Sequence, residues 1–165
     1  TRKEMSDVPA RWEHVKRAVE IRDEIQAGVP AAERTLVFGN GDVRDLADAH
    51  EKCFTTGADG AMLGRAIFGN PWLFDAKREF SKPRRESAHT YTADEIRERL
   101  TVMVEHTKLF HKLLGDIKNF AIMKKHYKAY VSGWNGAKEL RVKLMDSATP
   151  EEVEKIVAEY LSAVY

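Results

Sequence analysis

Cysteine occurs once in this 165-residue chain, so an intrachain disulfide framework is excluded. No Cys/His grouping has zinc-ligand spacing, and no metal site is expected. Apolar runs are short, none approaching the ~20 residues that a membrane-spanning helix needs. No signal peptide is read at the start, and the expectation is a cytoplasmic protein. Net charge is low as well, only +1. What is present, 43% hydrophobic and 32% charged residues, is the composition of a soluble globular protein with chain enough for one domain or for a small domain joined to part of another. The near-neutral total conceals local excess: Lys-Arg-Glu-Phe-Ser-Lys-Pro-Arg-Arg at 77–85 carries five basic side chains and one acidic. A second basic run lies at 117–130. A polyanionic partner and a solvated lysine surface both fit such runs.

Periodicity divides the chain. Trp12, Val15, Ala18, Val19 and Ile25 fall at helical spacing, and Gly28-Val29-Pro30 ends that helix. Thr35-Leu36-Val37-Phe38 reads as a short buried strand ending at Gly39. Asp42 stands where an N-cap belongs, ahead of an amphipathic helix carrying Val43, Leu46, Ala47, His50, Cys53 and Phe54 and ending at Gly57. A second short strand follows at 60–63, and 64–74 opens another helical unit. Helix-strand-helix-strand order with short turns implies parallel strands, as in an α/β sheet or a (β/α) barrel.

From Thr92 onward only helices are expected. Thr92 with Glu95 makes a capping box and Tyr91 with Ile96 a hydrophobic staple; Thr149 with Glu152 and Ala148 with Val153 repeat the device around Pro150. Ile96, Leu100, Met103, Thr107, Phe110 and Leu114 form one stripe closed by Gly115. Ile117, Phe120, Tyr127 and Val131 form another, closed by Ser132-Gly133. With Leu140, Leu144, Val153, Ile156, Val157 and Leu161 this makes about four helices, a small bundle.

The two glycine turns are the chemical signal. At the carboxyl ends of parallel strands such turns expose backbone N–H groups beside helix N-termini and can hold a phosphate. Asn40, Gly41 and Asp42 make the first turn, Gly64 and Arg65 the second, and Arg65 adds a multi-donor cation suited to phosphate oxygens. A pair of ordinary tight turns is the bland alternative, and the turns alone do not name a cofactor.

At these residues the chain resembles the tRNA-dihydrouridine synthase family. Asn40-Gly41-Asp42 and then Thr56-Gly57-Ala58-Asp59-Gly60-Ala61-Met62-Leu63-Gly64-Arg65, continuing to Gly69-Asn70-Pro71-Trp72, are similar to the family's late-barrel pattern. Thr1-Arg2 and Ala10-Arg11-Trp12 resemble the segment after its sixth strand, with Arg11 replacing an acidic residue. Residues 123–141 resemble its helical-domain pattern, with Lys124 in an arginine place and Ala129 in a tryptophan place.

The resemblance implies α/β plus all-α architecture: the last part of a flavin-binding (β/α)8 TIM barrel over 1–76, a basic linker over 77–91 and a helical tRNA-binding domain over 92–165. It implies FMN bound by Asn40, Gly41, Asp42, Gly64 and Arg65, with the phosphate against Asn40, Gly41, Gly64 and Arg65, and NADPH-dependent reduction of a tRNA uridine. The family's proton-donating cysteine and its flavin-contacting lysine and histidine are expected to precede Thr1, so no catalytic residue is expected here and the rest of the barrel is the expected partner. Cys53 is read as a buried structural thiol and His50 as a packed helix histidine. Lys118, Lys124, Lys125 and Lys128 span roughly 120° of one helix at 100° per residue, an arc that could follow RNA phosphates with His126, Tyr130 and Arg141. Tyr130 fits a core position equally well. A stand-alone RNA-binding helical module with a vestigial half-barrel, or another FMN-binding or phosphate-binding barrel oxidoreductase, are the alternatives.

Overall fold

The structure, a computed structural model, describes residues 8–75 and 91–164. The expected linker lies outside the described residues except for Tyr91, as do Thr1 and Arg2. The chain divides into two compact units, one running to Pro83 and one from Arg84.

In the first unit, α1 (Trp12–Ile25) is followed by β1 (Phe38–Asn40), α2 (Leu46–Thr56) and β2 (Gly60–Met62). The strands are parallel, with Phe38 opposite Gly60 and Asn40 opposite Met62, as the element order predicts. The first strand begins later than its apolar run. Three backbone groups of residues 35–37 are taken by side chains: the Thr35 amide donates to Gln26 at 2.9 Å and the Val37 amide to Asp59 at 2.8 Å, while the Thr35 carbonyl accepts from Arg22 at 3.0 Å. These groups are satisfied, but not by a ladder.

Three other expectations are corrected. Asp42 does not cap α2; that role belongs to Asp45, whose side chain accepts from the Asp48 amide at 2.8 Å. The α2 stripe is not buried as a face either. Asp48, Ala49 and Thr56 turn inward, whereas Ala47, His50 and Phe54 are exposed and Cys53 is only half-buried. Residues 64–74 form no α-helix, only a 3-10 turn at Arg65–Ile67 and further turns to Phe74. Gly69 at φ 72° and Pro71, which lacks an amide donor, both oppose helix propagation there. The predicted end of α2 is observed, with Gly57 at φ 73° in the left-handed C-cap conformation.

The second unit is helical: α3 (Ala93–Leu114), α4 (Met123–Tyr130), α5 (Ala137–Asp146) and α6 (Pro150–Val164). Helix α3 packs on α4 and α6, and α5 packs on the same two, around one core that includes Leu100, Met103, Met123, Tyr127, Leu140, Leu144 and Val153. Both predicted starts are observed. The Thr92–Glu95 box closes in both directions, and Pro150 occupies the first position of α6 with Thr149 accepting from the Glu152 amide at 3.3 Å. Helix α4 is shorter than its predicted stripe, because Asn119 caps a separate 3-10 turn at Phe120–Ile122 and Ile117 is exposed. Lys118 therefore precedes the helix instead of riding on it, and Tyr130 belongs to the core.

Candidate functional site

Three sequence segments meet at the carboxyl edge of the two strands. The Ala10 amide donates to Oδ2 of Asp42 at 2.7 Å, and the indole Nε1 of Trp12 donates to the Gly41 carbonyl at 2.8 Å. The Trp12 ring covers Gly39, where an added Cβ would stand 2.2 Å from a ring carbon. Glycine is therefore required at 39 for close approach of the Trp12 ring. Gly41 is required twice over: its φ is +119°, and a Cβ there would come within 2.6 Å of the Ala10 side chain.

The second turn reaches the first through charge. Oδ1 of Asp42 accepts from Nη2 of Arg65, so the turns after β1 and β2 are in contact. Asn40 is exposed at the end of β1, Gly64 has no atom within 4 Å of where a Cβ would stand, and the Arg65 side chain is 66% exposed. Open space, an accessible cation and two adjacent strand ends suit a phosphate group, and FMN fits this edge in that respect. The source of positive potential differs from expectation. Neither turn sits on a helix N-terminus: α2 begins beyond Asp42 with its first amides served by Asp45, and Gly64 leads into a three-residue turn. Arg65 supplies the charge, with Asn40, Gly41 and Gly64 able to contribute further donors. Asp42, whose ionised carboxylate only accepts hydrogen bonds, does not itself offer a side-chain donor to a phosphate. It engages the guanidinium instead.

The elements behind this edge are held by a second acidic residue. Asp59, inside the Thr-Gly-Ala-Asp-Gly run, accepts from the Val37 amide at 2.8 Å and from Arg22 of α1 at 2.5 Å, tying β2 to β1 and α1. The Val37 amide, then the Arg22 guanidinium, outweigh partial burial and hold the Asp59 carboxyl below its ordinary range. Sequence reading treated Asp59 only as part of a motif. Its place immediately before β2 was visible in the sequence, but its partner Arg22 lies on α1, 37 residues earlier, at no readable spacing.

In the helical unit, Lys124, Lys125 and Lys128 lie on α4, which places them within about 100° of one another at 100° per residue. Lys124 is half-buried, whereas Lys125 and Lys128 are exposed. His126 is half-buried edge-on against His106 of α3, the ring centres 5.1 Å apart. Burial lowers the pKa of both histidines, and for His126 the neighbouring His106 and Lys125 lower it further. Arg141 is half-buried and donates from Nη1 to the Val131 carbonyl at 2.8 Å, while buried Arg99 donates to the Tyr130 carbonyl through Nε and Nη2, each at 3.3 Å. Two guanidiniums thus cap the C-terminal end of α4, where carbonyls lack helical partners and the dipole favours cations. Arg141 has a structural duty that sequence spacing did not reveal, and Arg99 was missed because a charged residue inside an apolar stripe reads as surface.

Among the described residues, no group of three or more His, Cys, Asp or Glu is placed to hold a metal ion, and no helix is long and apolar enough to cross a membrane. The profile of the family described as "Dihydrouridine synthase (Dus)" matches residues 1–164. Proteins named "Probable tRNA-dihydrouridine synthase" from two strains of Staphylococcus aureus are 35% and 37% identical to this chain over 161 residues, 97% of this chain and 43% of each relative. "Probable tRNA-dihydrouridine synthase 2" of Bacillus subtilis is 30% identical over 160 residues, covering 97% of this chain and 44% of the relative. The chain thus spans less than half the length of these curated relatives. A profile match over almost every residue, joined to relatives at this identity, shows that the chain belongs to the dihydrouridine synthase family.

Proposed function

We propose that this chain contributes the phosphate-binding edge and the tRNA-gripping helices of a cytoplasmic tRNA-dihydrouridine synthase, which reduces a tRNA uridine to 5,6-dihydrouridine with NADPH as reductant. The observation that carries the reading is the contact between Asp42 and Arg65, which joins the two glycine turns at the ends of neighbouring parallel strands. FMN would supply the redox chemistry when bound. Asn40, Gly41, Gly64 and Arg65 would hold its phosphate: the arginine as a charge-assisted donor, the glycines by letting backbone come close without a Cβ in the way. In this reading the first unit is the late part of a (β/α)8 barrel, whose phosphate sites are often built from consecutive strand-end loops.

The helical unit would grip tRNA. Lys124, Lys125 and Lys128 provide charges for phosphate contacts that position RNA without reading its sequence, and His126 lies beside them. Arg141 would act mainly by holding the end of the helix that carries them. A target uridine must leave its stack to be reduced, so such a grip orients the RNA for chemistry performed elsewhere in the enzyme.

Expression of the full-length gene in a strain lacking dihydrouridine, followed by nucleoside mass spectrometry of purified tRNA, tests the activity. Recovery of dihydrouridine is expected; its absence from soluble, flavin-loaded protein would remove the proposal.

A further inference from the structure

We propose that Asp42 is a positioning residue: its carboxylate, fixed by the Ala10 amide, holds one edge of the Arg65 guanidinium and leaves the remaining N–H donors to face a flavin phosphate. This inference rests on the phosphate-site reading above and adds a residue that acts through Arg65, not on the phosphate itself.

The two oxygens of Asp42 have separate duties. Oδ2 accepts from the Ala10 amide at 2.7 Å, and Oδ1 accepts from Arg65. The backbone that carries the carboxylate is constrained at Gly41 and at Asp42 itself. Asp42 has φ +51°, a left-handed conformation that aspartate tolerates better than most residues, and it follows Gly41 at φ +119°. The Gly41 carbonyl is held by the Trp12 indole at 2.8 Å, and the Ala10 methyl group fills the space beside its Cα.

Arg65 is the opposite case. It lies on a three-residue 3-10 turn with no helix to stiffen it, its side chain is mostly solvent-exposed, and among the described residues Asp42 is the side chain that holds it. A free arginine loses considerable rotamer entropy when it clamps an anion, and a guanidinium already oriented loses less. One carboxylate contact uses one of five donors and leaves the others of the planar fork available.

The same carboxylate also has a cost, because it places negative charge near the proposed phosphate. Positioning and repulsion predict opposite signs on removal of the charge, which makes the proposal decidable. The full-length protein, stripped of flavin, would be titrated with FMN and with riboflavin, which lacks the phosphate, by quenching of flavin fluorescence. Four forms are needed: wild type, Asp42→Asn, Arg65→Ala and the double variant. Asn retains an acceptor for the Ala10 amide while removing the charge.

We expect Asp42→Asn to weaken FMN binding roughly tenfold and leave riboflavin binding unchanged, with no further loss when added to Arg65→Ala. An unchanged or improved ratio of FMN to riboflavin affinity in Asp42→Asn overturns the proposal, and so does an equal loss in the Arg65→Ala background. Because the ratio is the readout, a variant that weakens both ligands equally through poor folding also counts against positioning. If Arg65→Ala itself leaves the ratio unchanged, the phosphate reading falls and this inference falls with it. If Arg65→Ala lowers the ratio and Asp42→Asn does not, only the inference about Asp42 fails.

Discussion

Gly39 and Gly60 show how one missing atom has different consequences in neighbouring strands. A Cβ at Gly39 would stand 2.2 Å from the Trp12 ring, and that ring is held by the indole hydrogen bond to Gly41. At Gly60 the clash would be with Phe38 at 2.4 Å, but Phe38 is exposed and can turn aside. Gly39→Ala should therefore destabilise by ~1–3 kcal/mol, as overpacking does, and Gly60→Ala by clearly less. Paired thermal melts of the two variants check the order. The histidine pair makes a second prediction at this scale. Burial lowers the pKa of His106 and His126 in the fold, so the unfolded chain binds more protons near the ordinary value of about 6.5. The stability contribution is fully present above that pH and is lost as pH falls through the unfolded value toward the lower folded ones. Melts of the helical unit between about pH 7.5 and 5.5 should show the decline, and His126→Gln should flatten it.

Elements were legible where their determinants are local and obscured where distant side chains intervene. The start of α3 was readable because a capping box is a contact between Thr92 and Glu95, three residues apart. Thr92→Ala should cost about 1 kcal/mol in chemical denaturation of the helical unit. The start of β1 was misplaced because Gln26 and Asp59, 9 and 22 residues away from the amides they accept from, take the backbone groups of an apolar run. The candidate site divides in the same way. Gly64 and Arg65 were legible as a turn and a cation, but the Ala10 and Trp12 clasp spans 32 and 29 residues and leaves no periodic trace. Asp59 also sets an acid limit for the elements it joins. Its lowered pKa gives stability that is present above the ordinary aspartate value of about 3.9 and lost as pH falls through the lower folded value. Acid titration of wild type against Asp59→Asn, followed by far-UV dichroism, should show this acid-dependent component only in wild type.

On the scale of the whole molecule, the two units differ in how completely each buries its apolar residues. Most of the buried apolar residues among those described, Leu100, Met103, Tyr127 and Leu140 included, lie in the helical unit, although both units leave large apolar side chains exposed, Leu36 and Phe54 in the first and Leu113 and Ile117 in the second. A helical unit with its own core and a basic α4 is the feature on which the proposed tRNA affinity can be tested apart from the proposed flavin binding. Lys124→Ala combined with Lys125→Ala removes two charges from α4, and neither residue belongs to the hydrophobic core cluster. If both contact phosphates, the slope of log affinity against log salt should become shallower by about 1–2, since each phosphate neutralised contributes a little under one. Arg141→Ala belongs in the same series as a control of a different kind. It removes the donor to the Val131 carbonyl, so its effect on affinity should be accompanied by a lower melting temperature. Anisotropy titrations of the full-length protein with labelled tRNA at several salt concentrations make the measurement. Parallel salt lines for wild type and the double lysine variant would assign the basic face of α4 to solvent and leave RNA recognition to another surface.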